Sequence, residues 1–219
     1  MKISALSLRS FPEPLAFESA RRIALDLMER DDRPTAAVAQ PNGDSLGYVV
    51  IAGAGCLVRY YRDALFRESV RSAKTLLCAG WPSAMLIYLL RGFWPAICSG
   101  STLMANILHG LRPWDRILWI GGRHLQIHEL AGRYNLVDMR HYSFADEALN
   151  PRSLQRCVEF IERQGSFRFC VLAVESPHCE LIAQALLRRK RARGVVLCVG
   201  ELNYLKRRAA DAGFARGST

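Results

Sequence analysis

What this chain lacks narrows it first. Its seven cysteines include no C-x-x-C pair, and Cys56, Cys78, Cys98, Cys157, Cys170, Cys179 and Cys198 mostly sit inside apolar runs. An odd number spread in this way reads as buried, reduced thiols, which suits neither a disulfide framework nor a zinc site. There is no G-x-G-x-x-G, Walker loop, D-x-D or H-E-x-x-H, so the signatures of dinucleotide, P-loop, paired-carboxylate metal and zinc-protease chemistry are all missing. Long apolar runs are missing too. Ala84 to Cys98 is broken by Arg91, Gly92 and Pro95 and falls short of the ~20 residues that a membrane-spanning helix needs. It is read as a core helix, a turn and a short strand. Met1 to Pro14 carries charge and proline in place of an apolar leader, so a cytoplasmic location is expected.

What is present suits one compact α/β domain. The 219 residues are half hydrophobic and 23% charged, which argues against disorder and for a sizeable core. Arginine outnumbers lysine 26 to 4, within a net charge of +10. Most arginines are scattered along predicted helices; only Arg188, Arg189, Lys190, Arg191 and Arg193 cluster. That cluster ends a predicted helix, where cations complement the helix dipole. It reads either as a solvated helix end or as a peripheral contact with an anionic phospholipid surface. A nucleic-acid role has charge as its sole support and is not favoured.

Hydrophobic patterning alternates strand and helix along the chain. Leu15 to Met28 is read as an amphipathic helix, followed by a turn at Pro41 to Asp44 and a strand at Tyr48 to Ala52. Cys56 to Val70 has helical spacing, Lys74 to Cys78 is a buried strand, and Pro82 to Leu90 is a helix with proline in its first turn. Short strands follow at Ala96 to Cys98 and Arg116 to Ile120, with a helix from the Ser99 to Thr102 turn to about Leu111 between them. A helix over Leu125 to Gly132, a short strand at Val137 to Met139 and a helix over Pro151 to Gln164, capped by Asn150, come next. Phe169 to Val174 and Gly194 to Val199 are continuous apolar runs, the pattern of strands buried on both faces of a parallel sheet, with a helix between them. Repeated βα units predict a Rossmann-like, doubly wound, mostly parallel α/β sheet. The organisation read is an N-terminal segment (1–46) packed on the core, a domain over 47–212 and a frayed end (213–219). Trp81, Trp94, Trp114 and Trp119 adjoin apolar residues and are assigned to core packing.

In open sheets of this kind ligands bind at the carboxyl ends of the strands. The residues predicted there are Glu175, Ser176, Pro177 and Glu180 after one strand, then Gly200, Glu201 and Asn203 after the next. Gly121, Gly122 and Arg123 lie between a strand and a helix, where glycines admit a phosphate to free backbone N–H groups; a simple tight turn reads equally well. The same two readings apply to Gly100, Ser101 and Thr102, with Ser101 or Thr102 as a cap. His124 and His128 share a helix face beside Glu129 but lack a third ligand of matching spacing, so no metal site is assigned.

Several fragments, in order, resemble the WecG/TagA/CpsF family of bacterial glycosyltransferases over roughly Tyr48 to Ala212. They are RDALFRESVRSAKTLLCAGWP, CSGSTLMANIL, RILWIGGRHLQIHELAGRY and the long stretch from ALNPRSLQRCVEF to VVLCVG. The resemblance implies a Rossmann-like domain that moves a sugar, without a catalytic metal, from a UDP donor to a lipid-diphosphate-linked acceptor in exopolysaccharide or other surface-polysaccharide synthesis. In that frame Gly121 and Gly122 approach the donor, the basic C-terminal region faces the membrane, and Glu175, Glu180 and Asn203 are the candidate catalytic groups. The chain also departs from the family pattern. Gly53 stands for a family asparagine, Ala79 for the family's proposed catalytic aspartate, Ile97 and Thr102 for an arginine and an aspartate, and Cys179 for a glutamine beside the retained Glu180. Asn203 replaces a further aspartate, and the family's aromatic and basic tail is not seen. Neither alanine nor glycine accepts a proton, and losing a general base commonly costs about 10²- to 10⁴-fold in rate. Two expectations therefore stand side by side: a transferase with a variant site, and a catalytically inactive relative that binds nucleotide or scaffolds a partner. The reading of Ala79 as a lost catalytic position places it at a cleft floor near Gly53, Gly121 and Glu180.

Overall fold

The computed structural model describes residues 46–200 apart from 93, 96, 99 and 145–149. The helix read at Leu15 to Met28, the turn before Ser45, the segment after Gly200 and Asn203 all lie outside the described residues. Six strands form one parallel sheet: β1 (Gly47–Ala52), β2 (Thr75–Cys78), β3 (Ile117–Ile120), β4 (Met139–Tyr142), β5 (Ser166–Leu172) and β6 (Arg193–Cys198). Their spatial order is β2-β1-β6-β5-β3-β4. Seven helices accompany them: α1 (Ala54–Arg62), α2 (Ala64–Arg71), α3 (Trp81–Arg91), α4 (Gly100–Gly110), α5 (His124–Arg133), α6 (Pro151–Gln164) and α7 (His178–Arg189).

The two-residue period of each strand divides its side chains between two cores. Tyr48, Val50 and Ala52 of β1 pack with α1, α2, α3, α6 and α7 on one face, whereas Val49 packs with α4 and α5 on the other. The fold is thus a doubly wound, three-layer α/β domain. Every residue of β3 is buried, because helices cover both sides of it.

Four readings change. The helical stretch from Cys56 to Val70 is two helices, broken at Asp63. The Asp63 backbone is extended, and its carboxylate accepts hydrogen bonds from Leu65 N at 2.9 Å and Phe66 N at 3.1 Å, so it caps α2. Asp63→Ala is expected to cost about 1 kcal/mol, read as a fall in the urea midpoint at unchanged slope. The strand read at Val137 to Met139 lies later, at Met139–Tyr142, with Val137 exposed. Its MRHY sequence is polar because β4 is an edge strand. The strand read at Ala96 to Cys98 reduces to one parallel bridge between Cys78 and Ile97, with Cys98 N donating to Cys78 O at 2.9 Å. Of the four tryptophans only Trp119 is core; Trp81, Trp94 and Trp114 are exposed. Apolar neighbours misled there, since α3 is apolar on every side and its sequence does not reveal which side the sheet covers. All seven cysteines are buried and free. No helix among the described residues is long and apolar enough to cross a membrane.

Candidate functional site

The carboxyl edge of the sheet collects the residues singled out in the sequence. Strand order sets their sequence across that edge: Ala79 after β2, Gly53 after β1, Gly200 after β6, Glu175 and Ser176 after β5, and Gly121 and Gly122 after β3. Ala79 N donates to Ala52 O at 2.9 Å, so Ala79 does lie beside the exit to Gly53. Gly121 does not join them. Four strand spacings of roughly 4.8 Å each put it about 19 Å away, because the β2-to-β3 connection passes over β1, β6 and β5.

Two neighbourhoods result. The first surrounds the exits of β1 and β6. A Cβ on Gly100 would stand 3.4 Å from Ile51 Cδ1 and 3.5 Å from Val199 O, so the amino end of α4 sits directly over these exits. Gly100, Ser101 and Thr102 form the first turn of α4 instead of a turn preceding it, so neither hydroxyl residue is in the capping position. Gly200, with φ +68°, continues from β6 in a backbone region that L side chains rarely adopt. Glu180, the third residue of α7, is only 2% exposed and accepts a hydrogen bond from Cys179 Sγ at 3.0 Å. Its charge, after burial, helps push up the thiol of Cys56 on α1 and the phenol of Tyr48 on β1. The Cys179 thiol is likewise held well above its ordinary value, by its contact with Cys198, by burial and by Glu180. A carboxylate enclosed among thiols is poorly placed to take a proton from an incoming hydroxyl. Glu175, by contrast, is exposed, and its carbonyl accepts from His178 N at 2.9 Å as α7 begins.

The second neighbourhood is the crevice between β3 and β5. These neighbouring strands lead to helices on opposite faces, α5 and α7, which makes this a topological switch point. Gly121 (φ +90°) and Gly122 (φ +76°) form its floor. Gly121 N donates to Tyr142 O at 2.9 Å, and His141 Nε2 donates to Gly121 O at 3.1 Å, which fixes the protonated nitrogen of that imidazole. A Cβ on Gly121 would lie 2.5 Å from Ala173 O, so a side chain there would collide with the exit of β5. The Trp119 indole N–H lies 3.8 Å from the Cβ position of Gly122 and, though buried, has no hydrogen-bond partner among the described residues. Ser176 Oγ and His178 Nε2, at the exit of β5, are also buried and without a hydrogen-bond partner among the described residues. A buried polar group without a partner is costly, and a polar ligand that reached Trp119 beside the glycine turns, or Ser176 and His178 at the exit of β5, would relieve that cost. Ser176 was among the residues the sequence pointed to, whereas Trp119 was assigned to core packing and His178 was passed over, because pairing is a property of the fold. Arg123, exposed, precedes α5 without a side-chain capping bond.

His124 stacks near His128, with centroids 6.4 Å apart, and meets His141 edge-on at 5.5 Å. Even so, no group of three His, Cys, Asp or Glu among the described residues is placed to hold a metal ion. The basic cluster lies elsewhere. Since α7 starts at the carboxyl edge and Arg193 opens β6 at the amino edge, Arg188, Arg189, Lys190, Arg191 and Arg193 sit on the side away from both neighbourhoods. Arg188 pairs with Glu68 at 2.7 Å and Arg189 with Glu162 at 3.4 Å. Lys190 caps α7 in a left-handed conformation.

Residues 23–203 match the profile of the family described as Glycosyl transferase WecG/TagA/CpsF. No curated protein matches this chain.

Proposed function

This chain belongs to the WecG/TagA/CpsF family of glycosyl transferases, and on that premise we propose that it holds a UDP-sugar at the carboxyl edge of the sheet, in bacterial surface-polysaccharide assembly, without transferring the sugar by base-assisted attack. The observation that carries the reading is the side-chain inventory at the exits of β2 and β1. Ala79 and Gly53 stand there, and Glu180, whose charge reaches Cys56 on α1, is enclosed. Binding has better support than transfer. The amino ends of α4, α5 and α7 open onto this edge and favour a diphosphate. The indole N–H of Trp119 beside Gly122, and Ser176 Oγ and His178 Nε2 at the exit of β5, are buried polar groups without a hydrogen-bond partner among the described residues. The protein then acts in the cytoplasm as a nucleotide-sugar-binding partner or scaffold for a competent transferase whose acceptor is a lipid-linked diphosphate. No metal is assigned to the donor's diphosphate.

A second reading, transfer with Glu180 as base, is favoured by the position of that carboxylate at the start of α7 beside the β1 and β6 exits. Calorimetry with UDP and UDP-sugars, followed by UDP release with a lipid-diphosphate acceptor, separates the two. The expected result is saturable binding, no release above the protein-free rate, and an unchanged affinity in Glu180→Gln. Turnover in the wild type that falls about 10²-fold or more in Glu180→Gln would establish the second reading. Absence of binding would overturn both.

A further inference from the structure

Helix α3 is built the wrong way round for a surface helix. A helix lying on a sheet normally turns an apolar stripe inward and charge outward. The sequence WPSAMLIYLLR has no charged residue before Arg91. Ser83, Ala84 and Ile87 face the core, whereas Trp81, Met85, Tyr88 and Leu89, at the i, i+4, i+7 and i+8 spacing of a second stripe, face solvent. After Gly92 ends the helix in a left-handed conformation, Trp94 returns onto that stripe. Its ring lies 5.8 Å from Tyr88 and 6.5 Å from Trp81. Trp81 is 58% exposed and Trp94 50%. The patch begins at the carboxyl edge, immediately after Ala79 and Gly80.

We propose that this aromatic stripe is a membrane-docking face that seats the domain on the interface of an anionic bilayer. Two observations select that occupant. Tryptophan and tyrosine, with an apolar body and a polar tip, suit the boundary between acyl chains and headgroups, and leucine and methionine supply apolar area beside them. Charge decides against a second copy of this chain: two molecules of net charge +10 repel, whereas an anionic surface attracts each of them. The inference rests on the proposed function for its orientation alone. A lipid-linked acceptor requires the carboxyl edge to lie near the bilayer; the α3 stripe starts at that edge with Trp81 and runs along the flank of the domain, whereas the arginine cluster stands at the amino edge.

The full-length chain is floated with phosphatidylcholine vesicles with and without phosphatidylglycerol, at low and high salt. The wild type should bind the anionic vesicles and keep a substantial part of that binding at high salt, since an apolar anchor is not screened. The double variant Trp81→Ser/Trp94→Ser should bind about tenfold more weakly while retaining the affinity for UDP seen in the wild type, and Arg188→Gln/Arg189→Gln should bind as the wild type does. Brominated acyl chains should quench wild-type tryptophan fluorescence, a readout that needs no variant. No flotation, or flotation abolished by salt and by the arginine variant but not by the tryptophan variant, would overturn the proposal. So would sedimentation as a dimer that Trp94→Ser dissociates, which would assign the stripe to a second copy. Vesicle binding without UDP binding would leave the docking face standing and remove the donor reading.

Discussion

Gly194→Ala should destabilise the domain by about 3–5 kcal/mol, combining backbone strain with overpacking, and this is a large share of the roughly 5–15 kcal/mol that holds a typical domain together. Gly194 is the second residue of β6 and has φ +134°. A Cβ there would run into the carbonyl oxygen and ring of Phe167 on β5. The carbonyl belongs to the backbone and cannot turn aside. The pairing of β5 and β6 shifts register between Ser166 and Phe169, next to this contact, so relief would require the two central strands to separate. Urea unfolding followed by circular dichroism should show a large fall in midpoint, or no folded protein at all. An unfolding free energy within about 0.5 kcal/mol of wild type would mean that β5 and β6 pair differently at this end.

The second large effect is expected from the ion pair beneath the sheet. Arg168 Nη1 lies 3.0 Å from both carboxylate oxygens of Asp115, and the two side chains are 10% and 9% exposed. Asp115 Oδ2 also accepts from Arg112 N at 2.7 Å, which ties the turn before β3 to β5. Burial raises the cost of losing one partner above the value of the pair itself, because the survivor is left as an unpaired charge away from water. Arg168→Met is therefore expected to cost about 3–5 kcal/mol, and Asp115→Leu a similar amount. The double variant should recover much of that loss, giving a large coupling energy in a double-mutant cycle. Simple additivity would show that water reaches the pair.

Much of the architecture was legible in the sequence. β1, β3, β5 and β6 are continuous apolar runs because they are central strands covered on both faces, and α6 declares itself through Asn150 and Pro151, whose geometry the structure reproduces. Local signals of weaker kind were misread. Asp63 could have been recognised as a cap between two short helices. The polar MRHY of β4 hides an edge strand that pairs on one side only. Long-range facts left no local trace at all. The separation of Ala79 from Gly121 follows from strand order, the enclosure of Glu180 from the packing of α7 on β1 and β6, and the exposure of Trp81 and Trp94 from which side of α3 the sheet covers. The described candidate residues thus lie along the carboxyl edge expected for them, but the sequence could not divide them into two neighbourhoods.

The strand order has a further consequence, for how the domain assembles as it is made. β6 is the last of the six strands to leave the ribosome, yet it lies between β1 and β5, near the middle of the sheet. Until it emerges, the β2-β1 pair and the β5-β3-β4 group are separate pieces with an unfilled slot between them. Each presents a bare strand edge to other chains, the exposure that invites aggregation. Contacts between residues near 50 and residues near 197 must close a loop that spans most of the domain, and such pairings form late. Synthesis of the chain therefore leaves it vulnerable for nearly its whole length, and the arrival of some six residues near position 195 turns two fragments into one sheet.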